Sequence, residues 1–279
     1  MKRSPVPAVV LILALACTAG LKTANDALHR TKVPGSGIIY IPSGQYLKPM
    51  TFGFPSLAAD MIFLWSIQYF GNPAIPDKFK YFTHIFSIIA ELDPRYVDPF
   101  EVGALIALYD ARDLPLAIRI LDLGLAKNPD FWIFPLEAGH YAQYYAKDIE
   151  LARTYYKKAM DIPGSPPIAK RLYANAAFKT LDYKTAWETW TEVRDTSTDE
   201  AVRKIAANHL YNIKSVIDGE AVKNAVFDYR TRNGRNPAGL EDLVRAGLLR
   251  EVPLDFDGHD YIYDPRTGGI MTRENPWKR

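Results

Sequence analysis

The chain of 279 residues has a single cysteine, Cys17, so neither an intrachain disulfide nor a thiolate metal site is open to it. It also lacks an excess of charge of one sign. Lysine and arginine number 34 against 32 aspartate and glutamate, a net +2. Nucleic-acid binding needs a basic face, and this balance gives no case for it. Histidine is sparse. His29, His84, His140, His209 and His259 stand apart, with no H-x-x-x-H or H-E-x-x-H pair. His84, on an apolar helix face, reads as a core histidine. No G-x-S-x-G, Walker or G-x-G-x-x-G stretch occurs. No catalysis, cofactor or metal is therefore expected. Asp255, Asp257 and Asp260 around Gly258 offer clustered oxygens to a hard cation such as calcium. They lack the EF-hand spacing and a closing glutamate, and a solvated acidic turn is the expected reading.

What the chain does have begins at its first residues. Lys2 and Arg3 precede an uncharged apolar run from Val6 to Leu21. As a helix that run spans about 25 Å, slightly short of a ~30 Å hydrocarbon core. Residues 1–22 are expected to be an uncleaved signal anchor with its start in the cytoplasm, which makes the chain single-pass. The alternatives are a signal cleaved near Ala16 or Ala19, and a lipoprotein lipidated at Cys17. Residues 23–55 are rich in proline and glycine, with a β-type run at Ile38–Ile41. An extended strap is expected there, held against the first helices because Ile38, Ile39, Tyr40, Tyr46, Leu47 and Phe52 are too apolar for a free linker.

Residues 56–218 carry a repeat. Ala117, Ala152 and Ala186 are small residues on the inner faces of helices that each open after an aspartate, at steps of 35 and 34. Leu121, Tyr156 and Trp190 lie four positions on, and Pro94, Pro129 and Pro163 close successive units. The expected hairpins are Ser56–Phe70 with Lys80–Leu92, then Asp98–Tyr109 with Leu114–Lys127. Phe131–Ala146 with Ile149–Met160 and Pro166–Thr180 with Tyr183–Val193 complete the set. The pair from Phe131 reads one residue longer. Ser197–Asp218 caps the array, and Gly219 is placed to break or bend the chain before Ala221–Arg232. Residues 219–279 form a separate small module, with a helix Gly239–Ala246 and a β-hairpin pairing Tyr261–Tyr263 with Ile270–Thr272. The fold class is all-α, a helical-hairpin array or α-solenoid with an apolar N-terminal helix and a small α+β tail.

On these residues, with Gly139 in a first helix, the stretch from about Ser56 to Arg194 resembles tetratricopeptide-repeat proteins. The apolar start, IPSGQYLK and SLAADMIFLWSIQYFG are also similar to bacterial membrane-anchored repeat proteins. That likeness implies a place in the cell envelope, at the inner membrane and facing the periplasm. The tail resembles the C-terminal segment of type II secretion pseudopilins through Asn233, Gly234, Pro237, Leu240, Leu243, Pro253, Asp255, Gly258 and Tyr261.

The tetratricopeptide resemblance implies a groove lined by the first helix of each pair. Counting back from the small alanines places Val102, Ile106, Tyr109 and Asp110 there, then Glu137, Tyr141, Tyr144 and Tyr145, then Arg171, Asn175, Phe178 and Lys179. Arg171 and Asn175, one turn apart, match the way such repeats clamp a peptide carboxylate. The expected function is a non-catalytic adaptor that binds a protein or peptide, with a membrane contact through its N-terminal segment and none with nucleic acid. The alternative is a structural subunit or lipoprotein packed permanently into a larger envelope complex.

Overall fold

The computed structural model describes residues 6–27, 41–272 and 275–278. The protein is all-α, with helices packed in consecutive pairs and one small antiparallel sheet. Helix α1 (Val6–Ala27) holds the apolar run and extends beyond the expected boundary at residue 22. The side chains described along it are exposed. Among the described residues no helix is long and apolar enough to cross a membrane. Cys17 is a free, exposed thiol within this helix.

The β-type run at 38–41 lies outside the described residues except for Ile41. The segment after it is helical rather than extended: α2 (Gly44–Leu47) runs into a 3-10 turn, Lys48–Thr51. This segment is tied to α4 (Phe82–Leu92). The Gln45 amide donates to Glu91 at 2.9 Å, and His84 Nε2 donates to the Ile41 carbonyl at 2.8 Å. Leu47 joins the core, whereas Tyr46 is exposed and Phe52 is 91% exposed. Helix α3 (Pro55–Gly71) begins one residue before the expected Ser56, with Phe54 at its N-cap and proline in its first turn. Its apolar residues divide. Phe63, Tyr69 and Phe70 are buried, while Leu57, Met61 and Leu64 form an exposed stripe.

Three hairpins come next: α5 (Asp98–Tyr109) with α6 (Leu114–Lys127), α7 (Ile133–Tyr141) with α8 (Ile149–Asp161), and α9 (Pro167–Lys179) with α10 (Tyr183–Thr196). Each second helix opens on an aspartate whose carboxylate accepts a backbone N–H three residues on. Asp113 takes Leu116, Asp148 takes Leu151, and Asp182 takes Thr185, at 2.8, 2.9 and 3.1 Å. Such a cap contributes ~1 kcal/mol. The residue before each aspartate, Arg112, Lys147 or Leu181, has positive φ and reverses the chain.

Ala117, Ala152 and Ala186 are fully buried at helix crossings. Glycines do the same work on the facing helices. A Cβ on Gly139 would lie 2.5 Å from the ring of Tyr156, which is itself completely buried. Neighbouring hairpins are joined by Phe100 edge-on to Phe134 at 5.6 Å, and by the Tyr155 hydroxyl donating to Asp122. The closing turns are also linked across one repeat. Asn128 donates to the Pro94 carbonyl at 2.8 Å, and Arg95 forks onto Asp130.

Helix α11 (Glu200–Asn233) packs on α10, with Trp190 stacked on His209 at 4.0 Å. It runs unbroken through Gly219, so of the expected break or bend the break does not occur. An interior glycine costs a helix only about 1 kcal/mol, and packing on both sides outweighs that. The expected boundary at 218/219 therefore falls inside a helix shared by the array and the tail. Val222, Ala225 and Val226 on its second half bury against α12 (Leu240–Arg245) and against Tyr263 and Ile270. Strands β1 (Ile262–Asp264) and β2 (Gly269–Met271) pair with Tyr263 opposite Ile270. Tyr261 donates to Asp218 at 2.7 Å, and Asp218 also receives Lys214.

The crossing at Gly139 sets a test. Gly139→Ala is expected to destabilise the chain by ~1–3 kcal/mol, because the buried Tyr156 ring cannot move away from an added methyl. An unchanged thermal midpoint would show that α7 and α8 do not cross closely there.

Candidate functional site

The three turns are not equal in length, and that decides which faces the first helices present. The amide of each capping aspartate donates to an alanine carbonyl in the preceding helix: Asp113 to Ala107, Asp148 to Ala142, and Asp182 to Ala177. The alanines are evenly spaced at 35 residues, but the third turn is one residue shorter than the other two. In the first hairpin the extra residue widens the turn, where the Ala111 amide reaches Ile106. In the second it is absorbed by a π-helical turn, Ala142–Ala146. This is the extra length read at Phe131, and the first hairpin shares it.

One residue rotates a helix face by about 100°. Aligned on their own carbonyls, the first helices place Glu101, Leu136 and Arg171 at one equivalent position. Leu105, His140 and Asn175 share the next, and Tyr109, Tyr144 and Lys179 the third. Leu105, Tyr109, Tyr144 and Lys179 are exposed, and His140, Arg171 and Asn175 are half-buried. Five of the expected residues, Tyr109, Tyr144, Arg171, Asn175 and Lys179, thus fall on one stripe. Leu105, His140 and Glu101 belong with it although the sequence pattern does not pick them out. Counting a fixed distance back from each second helix skips them, because the two longer turns hide one residue.

Glu137, Tyr141 and Tyr145 lie one residue off that stripe, turned toward α5. Tyr141 departs most from the expected groove position, since it is only 7% exposed and its ring joins the hydrophobic core. Its hydroxyl is nevertheless buried without a hydrogen-bond partner among the described residues, as is Glu137 Oε2. Burial pushes the Glu137 carboxyl up to about 7, and the charge of Glu101 adds to the shift. Glu101 is raised too, by burial and then by Asp98. Burial raises the Tyr141 phenol, with further contributions from the charge of Glu137 and the proximity of Tyr109, Tyr145 and Glu101. Neither glutamate has an ion-pair partner among the described residues. Tyr145 stands edge-on to both Tyr141 and Tyr109, and the hydroxyls of Tyr109 and Tyr145 share a hydrogen bond of 2.6 Å.

Arg171 lies apart from this cluster. It borders a cleft of about 810 Å³ between the α8–α9 and α10–α11 connections, beside Ser165, Lys170 and Thr198. Its Nε and the Ser165 hydroxyl are buried without partners among the described residues. Asn175, one turn on, does not border the cleft.

The remaining candidates are committed to structure. Asp255 is buried and accepts the amides of Asp257 and His259 and the Tyr211 hydroxyl. Burial pushes it up, but those donors outweigh the effect and hold it below the usual carboxylate range. Asp257 receives the Trp277 indole. The calcium alternative thereby loses two of its three carboxylates to other partners. No group of three or more metal-ligating side chains is found among the described residues. Neither a protein-family model nor a curated protein matches the chain.

The glutamate pair gives a pH test with a definite sign. Between the ordinary carboxylate range and about pH 7 the folded chain holds a proton at Glu137 that the unfolded chain has released. The resulting stability is full at acid pH and is lost as pH rises through about 7. Glu137→Gln should therefore stabilise the protein by on the order of 2 kcal/mol at about pH 8, allowing for its partial exposure, and by much less at about pH 5. Equal effects at both values would remove the buried charge from the account.

Proposed function

We propose that this chain is a non-catalytic adaptor of the bacterial cell envelope whose helical array binds an extended segment of another protein. The carrying observation is the stripe along α5, α7 with its π turn, and α9, where Tyr109, Tyr144 and Lys179 stand exposed at equivalent positions. Aromatic side chains on a rigid scaffold are the usual anchors of such interfaces. The reading takes the hairpins as tetratricopeptide-like repeats in an α-solenoid, on the small-residue crossings and the capped turns. It takes α1 and the preceding basic residues as the link to the inner membrane, with the array in the periplasm. Arg171, whose buried Nε beside its cleft has no partner among the described residues, is the candidate for a carboxylate of the bound segment. The pseudopilin-like tail makes a pilus or secretion assembly a reasonable setting.

A second reading, a subunit packed permanently in a larger complex, is favoured by one observation. Phe52, Phe54, Leu57, Met61 and Leu64 are all exposed at the opening of the array.

Variants on the two surfaces separate the readings. Tyr144 is 56% exposed, so Tyr144→Ala should shift stability by under ~0.5 kcal/mol. In the adaptor it should weaken capture of the native partner by ~2 kcal/mol or more. Tyr141→Ala instead should cost ~3–5 kcal/mol of stability, as a core aromatic. If capture survived Tyr144→Ala and Tyr109→Ala but was lost in Met61→Glu, the packed-subunit reading would replace the adaptor.

A further inference from the structure

We infer that Glu101, Glu137 and Tyr141, walled by Tyr109 and Tyr145, form a receptor for a basic side chain, the ammonium of a lysine or the guanidinium of an arginine, in the segment the array binds. The inference rests on the adaptor reading and adds the chemistry of the ligand.

Four observations converge. Two carboxylates stand on neighbouring first helices, near enough for the charge of Glu101 to raise Glu137, and no lysine, arginine or histidine among the described residues forms an ion pair with either. Like charges brought together and partly desolvated are unfavourable unless a cation joins them. Next, Glu137 Oε2 and the Tyr141 hydroxyl are both buried without a partner among the described residues, and Tyr141 is more than nine-tenths buried. A buried polar atom left unsatisfied keeps the full cost of its lost hydration, so two in one place mark a site shaped for a donor. An ammonium brings three donors, which matches the two carboxylates and the phenol oxygen.

The other two observations concern access and walls. Tyr109 and Tyr145 are about half exposed, so the cluster opens at the surface and its acidic groups lie behind a rim. Both rings also offer π faces to a cation. Finally, Tyr109 belongs to the exposed stripe, so a segment lying along α5, α7 and α9 passes the mouth of the cluster. The groups that face the site are Glu101 and Tyr109 from α5, Glu137 and Tyr141 from α7, and Tyr145 from the π turn, with Asp98 behind Glu101. Among the described residues all of these are acidic or neutral. His140 looks elsewhere, against Tyr144 and Tyr156.

The test uses the full chain and two probes. The first is n-butylammonium chloride, with n-butanol as the uncharged control, monitored through the ring-proton signals of Tyr109, Tyr141 and Tyr145. Saturable shifts are expected with the ammonium and not with the alcohol. Glu137→Gln, which matches the protonated carboxyl in shape, should weaken the ammonium roughly tenfold, and Glu101→Gln, at the more open carboxylate, should weaken it in the same direction. Lowering the pH through about 7 should weaken the wild type and leave Glu137→Gln little changed, because protonation removes the same charge. Absence of shifts, equal response to the alcohol, or undiminished affinity in Glu137→Gln would overturn the inference.

The second probe is a library of N-terminally acetylated peptides, which excludes a free terminal amine. Enrichment of lysine or arginine at one fixed position by the wild type, lost in Glu137→Gln, supports the site. Capture of peptides with no basic preference overturns the inference and leaves the adaptor reading standing. Butylammonium binding through Glu137 without capture of any peptide supports the cation site and removes the adaptor reading.

Discussion

The backbone hydrogen bond that closes each of the three hairpins from α5 to α10 is the constraint on which the rest of this structure depends. An alanine carbonyl late in the first helix accepts the amide of the aspartate that caps the second. That bond fixes where the first helix stops, where the second begins, and how the two are rotated about their axes. The positive-φ residue before the aspartate turns the chain, and the aspartate carboxylate satisfies an amide of the new helix that has no partner within it. Small residues at the crossings then let the helices approach until Tyr156, Trp190 and Phe86 are sealed. A hairpin built this way still has an apolar stripe it cannot cover, and the next hairpin covers it.

The two ends of the array are finished differently. At the C-terminal end α11 lies across α10 and continues into the tail, where α12 and the hairpin bury its far half. Polar ties, Tyr211 to Asp255 and Tyr261 to Asp218, hold the tail to the same helix. At the opening end, α3 turns one face into the core and leaves Leu57, Met61 and Leu64 uncovered beside Phe52 and Phe54. An outer face exposed to water is normally polar. The uncovered end is thus the part of the surface that solubility alone does not explain.

Buried polar groups sort into two kinds. Asp255, Asn128 and Ser66 are buried and have their partners, so they hold turns and helices in place. Glu137 Oε2 and the Tyr141 hydroxyl are buried and have none among the described residues. Stability gains nothing from that arrangement, since desolvation raises Glu137 and the neighbouring Glu101 raises it further. Other buried polar atoms, among them Arg171 Nε and the Ser165 hydroxyl, share that lack of a partner, and the α5–α7 face differs from them in holding a carboxyl raised by burial.

Local preference and spacing account for the helices, their aspartate starts, the buried alanines at the crossings and the hairpin in the tail, and a linear reading captures all of these. Spacing also carries the extra residue before Asp148, as a repeat one position too long. Where that residue goes is settled by packing. Taken up in a π turn, it rotates the face of α7 relative to α8 by about 100° from what even spacing implies. Tyr141 and Glu137 therefore turn toward α5, and Tyr144 and His140 take the stripe. Likewise Gly219 looks like a break in isolation, yet α11 passes through it because neighbours on both sides reward continuity. Leu57 and Tyr69 are both apolar and share helix α3, and only packing against the rest of the core says which of them is covered. Propensity acts between residues near in sequence, whereas the choice of face is made by residues far along the chain.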